Sequence, residues 1–178
     1  TLGVASLSSV QSRTVIIHRV YGMSESPARP FTDRIKTFMP RTSPLNTSQK
    51  QGMSDFAPKM QLTLAQGKLN PEAVFGRRAP LTIEIGFGMG QTLIEMAQAA
   101  PERDFIGIEI HKPGVAQLCF DAGTQGVSNL RYYSEDAVSV LEQAIEPGSV
   151  DTVQLFFPDP WQKARHHKRR FVRPDLIE

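Results

Sequence analysis

Between Leu81 and Phe157, short apolar runs bounded by glycine or proline alternate with stretches whose apolar residues recur every three to four positions. A chain patterned in this way has few ways to fold. A strand that is apolar throughout must be covered on both faces, and a helix between two such strands returns the chain to a parallel neighbour. Residues 81–85, 105–110, 130–133 and 151–157 read as four strands. Leu93, Met96, Ala97 and Ala100 mark one apolar helical face. Val115, Leu118, Cys119 and Ala122 mark a second, and Val138, Leu141 and Ile145 a third. The pattern specifies an α/β fold with a parallel sheet between two helical layers. Cys119 falls on a core face, where a packed thiol is expected rather than a nucleophile.

The first strand runs into Glu84-Ile85-Gly86-Phe87-Gly88-Met89-Gly90, a glycine-rich turn that opens a helix ending before Pro101. Glycines allow backbone conformations and a close ligand approach that a Cβ would obstruct. The dinucleotide fingerprint is Gly-x-Gly-x-x-Gly; here the third glycine comes one residue early, and an acid precedes the first by two. Glu109 closes the second strand. A carboxylate there either accepts the hydrogen bonds of a ribose diol or stands as a solvent-facing strand end. Asp136 follows the third strand, where it either receives an adenine amino group or caps the next helix.

The fourth strand continues into residues 155–170, which stop at two prolines bracketing Asp159 and then carry Lys163, Arg165, His166, His167, Lys168, Arg169 and Arg170. Pro158 and Pro160 fix φ and donate no backbone hydrogen bond, so Asp159 sits on a stiff turn. An acid so held beside a cationic cluster suggests a reaction centre next to a phosphate-binding surface. Trp161 is placed either to stack on a base or to anchor the loop in the core.

Over 178 residues the net charge is only +2, so any polyanion contact has to come from the distribution of cations rather than their total. The single cysteine permits no intrachain disulfide and no cysteine zinc cluster, which points to a reducing, cytoplasmic setting without a metal. Residues 1–22 are rich in serine, with Arg13 and Arg19 and no acid, a composition shared with organellar transit peptides, and read as an extension upstream of a start at Met23 in preference to a targeting peptide. Residues 24–54, rich in Pro, Ser, Thr and Arg, read as a flexible basic arm. The expected division is an extension and arm over 1–54 and a catalytic domain portion over 55–178. A short helix broken or kinked at Pro58 is expected within 55–64, and Asn70-Pro71-Glu72 reads as a helix start ended by Gly76.

The glycine turn, Gly107-Ile108-Glu109-Ile110-His111 with Pro113-Gly114-Val115, Asn129-Leu130-Arg131 with Glu135-Asp136-Ala137, and residues 157–170 together resemble the tRNA (guanine-N7-)-methyltransferase family of the bacterial single-chain type. The resemblance is clear over 81–170 and fainter back to Arg34. It implies a Rossmann-like methyltransferase fold, S-adenosylmethionine as methyl donor, and a guanine in the tRNA variable loop as acceptor. It places Glu84, Glu109, Asp136 and Asp159 around the cofactor or the reacting base, with Gly86, Gly88 and Gly90 forming the cofactor turn. Lys163 and the cluster at 165–170 would contact tRNA, and Asp159 would be the catalytic carboxylate, binding the guanine edge and offsetting its developing charge rather than moving a proton.

The family's sheet has seven strands, whereas four are read here, so the fold is expected to be truncated after the fourth strand. That strand would then be an exposed edge. The chain is expected to be a fragment of a longer enzyme. Two rival readings remain: an inactive fragment that keeps RNA or cofactor affinity, and another nucleotide-dependent enzyme such as a dehydrogenase.

Overall fold

The computed structural model describes residues 14–18 and 43–156. They build one six-stranded sheet: β1 (Thr14–His18), β2 (Gln61–Leu62), β3 (Leu81–Ile85), β4 (Asp104–Ile108), β5 (Leu130–Tyr133) and β6 (Thr152–Phe156), in the order β1-β6-β3-β4-β5-β2. All neighbouring pairs are parallel except β1 with β6. The helices are α1 (Thr47–Gln51), α2 (Ala57–Met60), α3 (Pro71–Phe75), α4 (Gln91–Ala99), α5 (Lys112–Thr124) and α6 (Ala137–Gln143).

The four strands read from the sequence are present, each beginning or ending within two residues of its expected bounds. Two more were not foreseen. β2 lies within the stretch expected to be helical and adds two residues to the free side of β5. β1 corrects the expectation of an exposed edge, because its backbone pairs with β6 from Thr14↔Phe156 to His18↔Thr152. The physical reason is the ladder: β6 would otherwise present a row of unpaired amide and carbonyl groups, and the β-branched run Thr14-Val15-Ile16-Ile17 suits a pleated neighbour.

The face formed by Leu81, Ile83, Ile85, Ile106, Ile108, Tyr133, Val153 and Leu155 packs with Leu62, Val140 and Ala144. On the opposite face, Phe105, Leu130 and Tyr132 meet Leu93, Ile94 and Ala97 of α4, Val115, Leu118, Cys119 and Ala122 of α5, and Ala57 and Met60 of α2. The helical faces read from periodicity are therefore the packed ones, with Ile94 and Val140 added to them. Cys119 is fully buried, and burial pushes its thiol up to about 11, as expected of a packing residue.

α1 lies within the stretch 24–54 that was expected to be a flexible arm. Asn46 caps α1 through a reciprocal pair with Gln49, its side chain accepting from the Gln49 N–H at 2.8 Å and its own N–H donating to Gln49 Oε1 at 3.1 Å. A π-helical turn, Gly52–Phe56, then joins α1 to α2, with the Ala57 N–H donating to the Gly52 carbonyl. Pro58, which has no N–H to give, follows this widened turn, so the expected break at Pro58 takes the form of a change in winding. Asn70 and Gly76 bound α3 as expected, with Gly76 at φ 70°.

Two polar devices fasten the lower end of the sheet. Arg77 holds the buried Asp104 at 2.7 Å. Asn129 Nδ2 donates to the carbonyls of Ala97 and Arg103, each at 2.9 Å, and of Ala100 at 3.3 Å, tying the end of α4 to the starts of β4 and β5. Asn129→Leu takes this donor from the Ala97 carbonyl, while those of Ala100 and Arg103 keep bonds from the Arg103 N–H and from Arg77 Nη2, and is expected to cost about 2 kcal/mol in chemical unfolding. An unchanged unfolding midpoint would assign the join to packing alone.

Candidate cofactor site at the sheet switch point

From β3 the chain moves outward through β4 to β5, then returns to lay β6 against the other side of β3. The strand order thus reverses between β3 and β6. In open α/β sheets a crevice forms there, outside the carboxyl ends of the strands. The predicted site residues among the described ones all gather at that end.

Gly86, Gly88 and Gly90 have φ of 74°, 61° and 83°. At Gly90 the requirement is double, since a Cβ would also come within 2.4 Å of Leu118 Cδ1. The turn is pressed against α5: a Cβ on Gly114 would fall 1.9 Å from the Gly88 carbonyl oxygen. Gly114 was noticed only as part of a motif, and its close approach cannot be read from spacing.

Glu109 follows β4 and reaches across to the turn. Its Oε2 accepts the Gly88 N–H at 3.0 Å, while Oε1 accepts those of Ile110 at 2.8 Å and His111 at 2.9 Å. It is therefore neither an idle strand end nor a fully free acceptor. A carboxylate has about four lone-pair sites, so these bonds leave room for about one further donor. Asp136 caps α6, its Oδ2 accepting the Ser139 N–H at 3.0 Å and the Ser139 hydroxyl at 3.2 Å. The capping reading is realised there.

Glu84, near the end of β3, is only 2% exposed, and its Oε2 has no hydrogen-bond partner among the described residues. Burial pushes its carboxyl from an ordinary value of 4.5 up to about 7. Directly opposite in the ladder stands Gln154 of β6, whose Oε1 is likewise buried and unpartnered among those residues. Sequence reasoning passed over Gln154. Its signal was a lone amide in the apolar run Val153-Gln154-Leu155-Phe156.

Asp159, Trp161, Lys163, Arg165, His166, His167, Lys168, Arg169 and Arg170 lie outside the described residues. No helix among the described residues is long and apolar enough to cross a membrane.

The profile of a family described as putative methyltransferase matches residues 78–178, more than half of the chain. A tRNA (guanine-N(7)-)-methyltransferase of Chromohalobacter salexigens is 48% identical over 154 residues, covering 86% of this chain and 62% of that protein. Its counterpart in Pseudomonas entomophila is 48% identical over 164 residues, covering 88% and 68% respectively. That of Pseudomonas fluorescens is 51% identical over 145 residues, covering 82% and 60%. The chain thus spans roughly three fifths to two thirds of the length of these relatives. With a parallel sheet, a glycine turn and acids at its switch point, and identity of this depth over most of its residues, the chain belongs to the tRNA (guanine-N(7)-)-methyltransferase family.

Proposed function

We propose that the protein transfers a methyl group from S-adenosylmethionine to N7 of a guanine in the variable loop of tRNA, in the cytoplasm. The observation that carries this reading is the assembly of Glu84, the glycine turn and Glu109 at the carboxyl end of β3 and β4, in a chain whose relatives bear that enzyme's name.

The residues fit such a cofactor. Gly86 and Gly88 have nothing within 4 Å of the place a Cβ would occupy, so the turn is open to a ligand. Glu109 retains capacity for a ribose hydroxyl, and Glu84 offers a buried oxygen without a partner. Asp136 caps α6 and is also assigned the adenine edge.

S-adenosylmethionine, when bound, supplies an already activated methyl group. Guanine N7 presents an in-plane lone pair, so the protein needs no base to remove a proton before attack. Its task is alignment, which is worth about 7 to 11 kcal/mol when the geometry is near attack. The purine becomes more positive during transfer, and Asp159 is assigned to hold its edge and offset that charge. Lys163 and the cations and histidines at 165–170 are assigned to the tRNA backbone. Oligomeric state plays no part in this assignment.

Incubation with labelled S-adenosylmethionine and unmodified tRNA, followed by nucleoside mapping, is expected to yield 7-methylguanosine in the variable loop. Cofactor binding with no transfer would instead establish the inactive-fragment reading. Asp159→Ala is expected to lower the transfer rate at least a hundredfold while changing cofactor affinity less than threefold. Equal losses in both would move Asp159 to the cofactor.

A further inference from the structure

Glu84 and Gln154 pair across the switch point, on adjacent strands about 4.8 Å apart. Both belong to the sheet face that carries Thr82, Gly107, Tyr132 and Thr152, as the strand register and alternation require. Each brings one buried oxygen that has no partner among the described residues. Two facing acceptors cannot satisfy each other while the carboxyl is ionised. A proton on Glu84 turns it into a donor, and a half-turn of the Gln154 amide presents N–H in place of oxygen. An amide can therefore match either state of the carboxyl.

Among the described residues, the surroundings supply no close counter-charge. Gly107 of β4 has no side chain, and α4 and the turn bring Leu93 and Phe87. Tyr132 of β5 and Cys119 of α5 stay neutral, since burial pushes both of them up. The Arg103 guanidinium is engaged one register step lower, at 3.2 Å from Thr82 Oγ1 and 3.5 Å from Thr152 Oγ1. The Glu109 carboxylate is held by backbone N–H groups across the turn. Burial pushes the Glu84 carboxyl to about 7.

We propose that Gln154 is a positioning residue for Glu84 and that the two form a proton-coupled receptor for the ammonium group of the methyl donor. In the free protein, protonated Glu84 donates to Gln154 Oε1. In the loaded protein, ionised Glu84 accepts from the ammonium on one side and from the Gln154 amide on the other. The proton released from Glu84 passes to solvent, so charge and atoms balance. This inference rests on the cofactor reading of the site and adds to it a residue and a pH dependence.

The test is calorimetric titration of the full chain with S-adenosylhomocysteine, from pH 5.5 to 8.5, in two buffers of different ionisation enthalpy. S-adenosylhomocysteine carries the same ammonium group and no transferable methyl. Affinity is expected to be flat above pH 8 and to fall toward tenfold per pH unit below 6, with proton release rising toward one per ligand at the acid end. Glu84→Gln is expected to remove both the slope and the release. Gln154→Met keeps the shape but deletes the donor to the charged carboxylate, so the midpoint is expected to rise by about one pH unit. Affinity then falls about fivefold at pH 7, approaches a tenfold loss below pH 6, and recovers toward pH 8.5.

A merely structural Gln154 would lower affinity equally at every pH, and that result overturns its positioning role. A wild-type affinity independent of pH overturns the proton coupling while leaving the cofactor reading in place. Absence of binding at any pH overturns both. Should Gln154→Met fail to fold, the wild-type profile and Glu84→Gln still decide the coupling.

Discussion

Gly114→Ala is expected to cost about 2 kcal/mol of stability and to weaken S-adenosylhomocysteine binding at least tenfold. Alanine is the better helix former by about 1 kcal/mol, so propensity alone predicts a gain. Packing opposes it, because the new methyl would have to occupy a point 1.9 Å from the Gly88 carbonyl oxygen. That oxygen belongs to the backbone of the cofactor turn and cannot rotate away as a side chain can. Either α5 lifts or the turn shifts, and overpacking of this kind costs about 1 to 3 kcal/mol before the propensity gain is offset. A shift of the turn also stretches the 3.0 Å bond from the Gly88 N–H to Glu109, which is why affinity should fall together with stability. Gly148→Ala is the control: Gly148 has φ of 75° but nothing within 4 Å of its absent Cβ. It is expected to lose about 1 kcal/mol with no change in affinity. Equal behaviour of the two variants would remove α5 from the construction of the site.

Glu84→Gln is expected to leave the free protein's stability unchanged near pH 4 and to raise it by about 3 kcal/mol at pH 8. The folded carboxyl is raised to about 7 from 4.5, so between those values the folded state holds a proton that the unfolded state has released. Its contribution is complete below about 4.5 and is lost as pH rises through 7. Above that, the wild type carries a buried charge without a counter-ion among the described residues, whereas the amide of the variant mimics the protonated acid at all pH values. Paired urea denaturation of wild type and variant at the two pH values checks this. A difference independent of pH, or a less stable variant at pH 8, would show that burial does not hold the Glu84 carboxyl in its protonated form. The same substitution should weaken cofactor binding at pH 8, because a stability gain in the free protein and a loss of affinity have one cause.

The sheet was legible because its strands are short, largely apolar runs bounded by turn residues and its helices are amphipathic. Leu130–Tyr133 fell on its expected bounds, and Leu93, Ala97, Leu118 and Ala122 point into the core that their spacing promised. β1 was not legible, since Thr14-Val15-Ile16-Ile17-His18 lies in a serine-rich stretch and its partner is far away in the chain. A lone β-branched run acquires meaning only when a sheet edge needs a neighbour. β2 is too short to leave a periodic signal. In the site, the glycine turn and Glu109 were visible from spacing, but the hydrogen bonds that make Glu109 a brace for the turn depend on a tertiary approach. Gln154 was hidden for the opposite reason: one polar residue in an apolar strand reads as noise until Glu84 is found opposite it.

A crystal structure of the chain with S-adenosylhomocysteine decides whether the switch point is the cofactor site. The ribose is expected beside Glu109 and Gly88, with the ligand's ammonium group within hydrogen-bonding distance of Glu84 Oε2, between β3 and β6. A ligand bound at the opposite end of the sheet, or one that leaves Glu84 Oε2 without a contact, would contradict it.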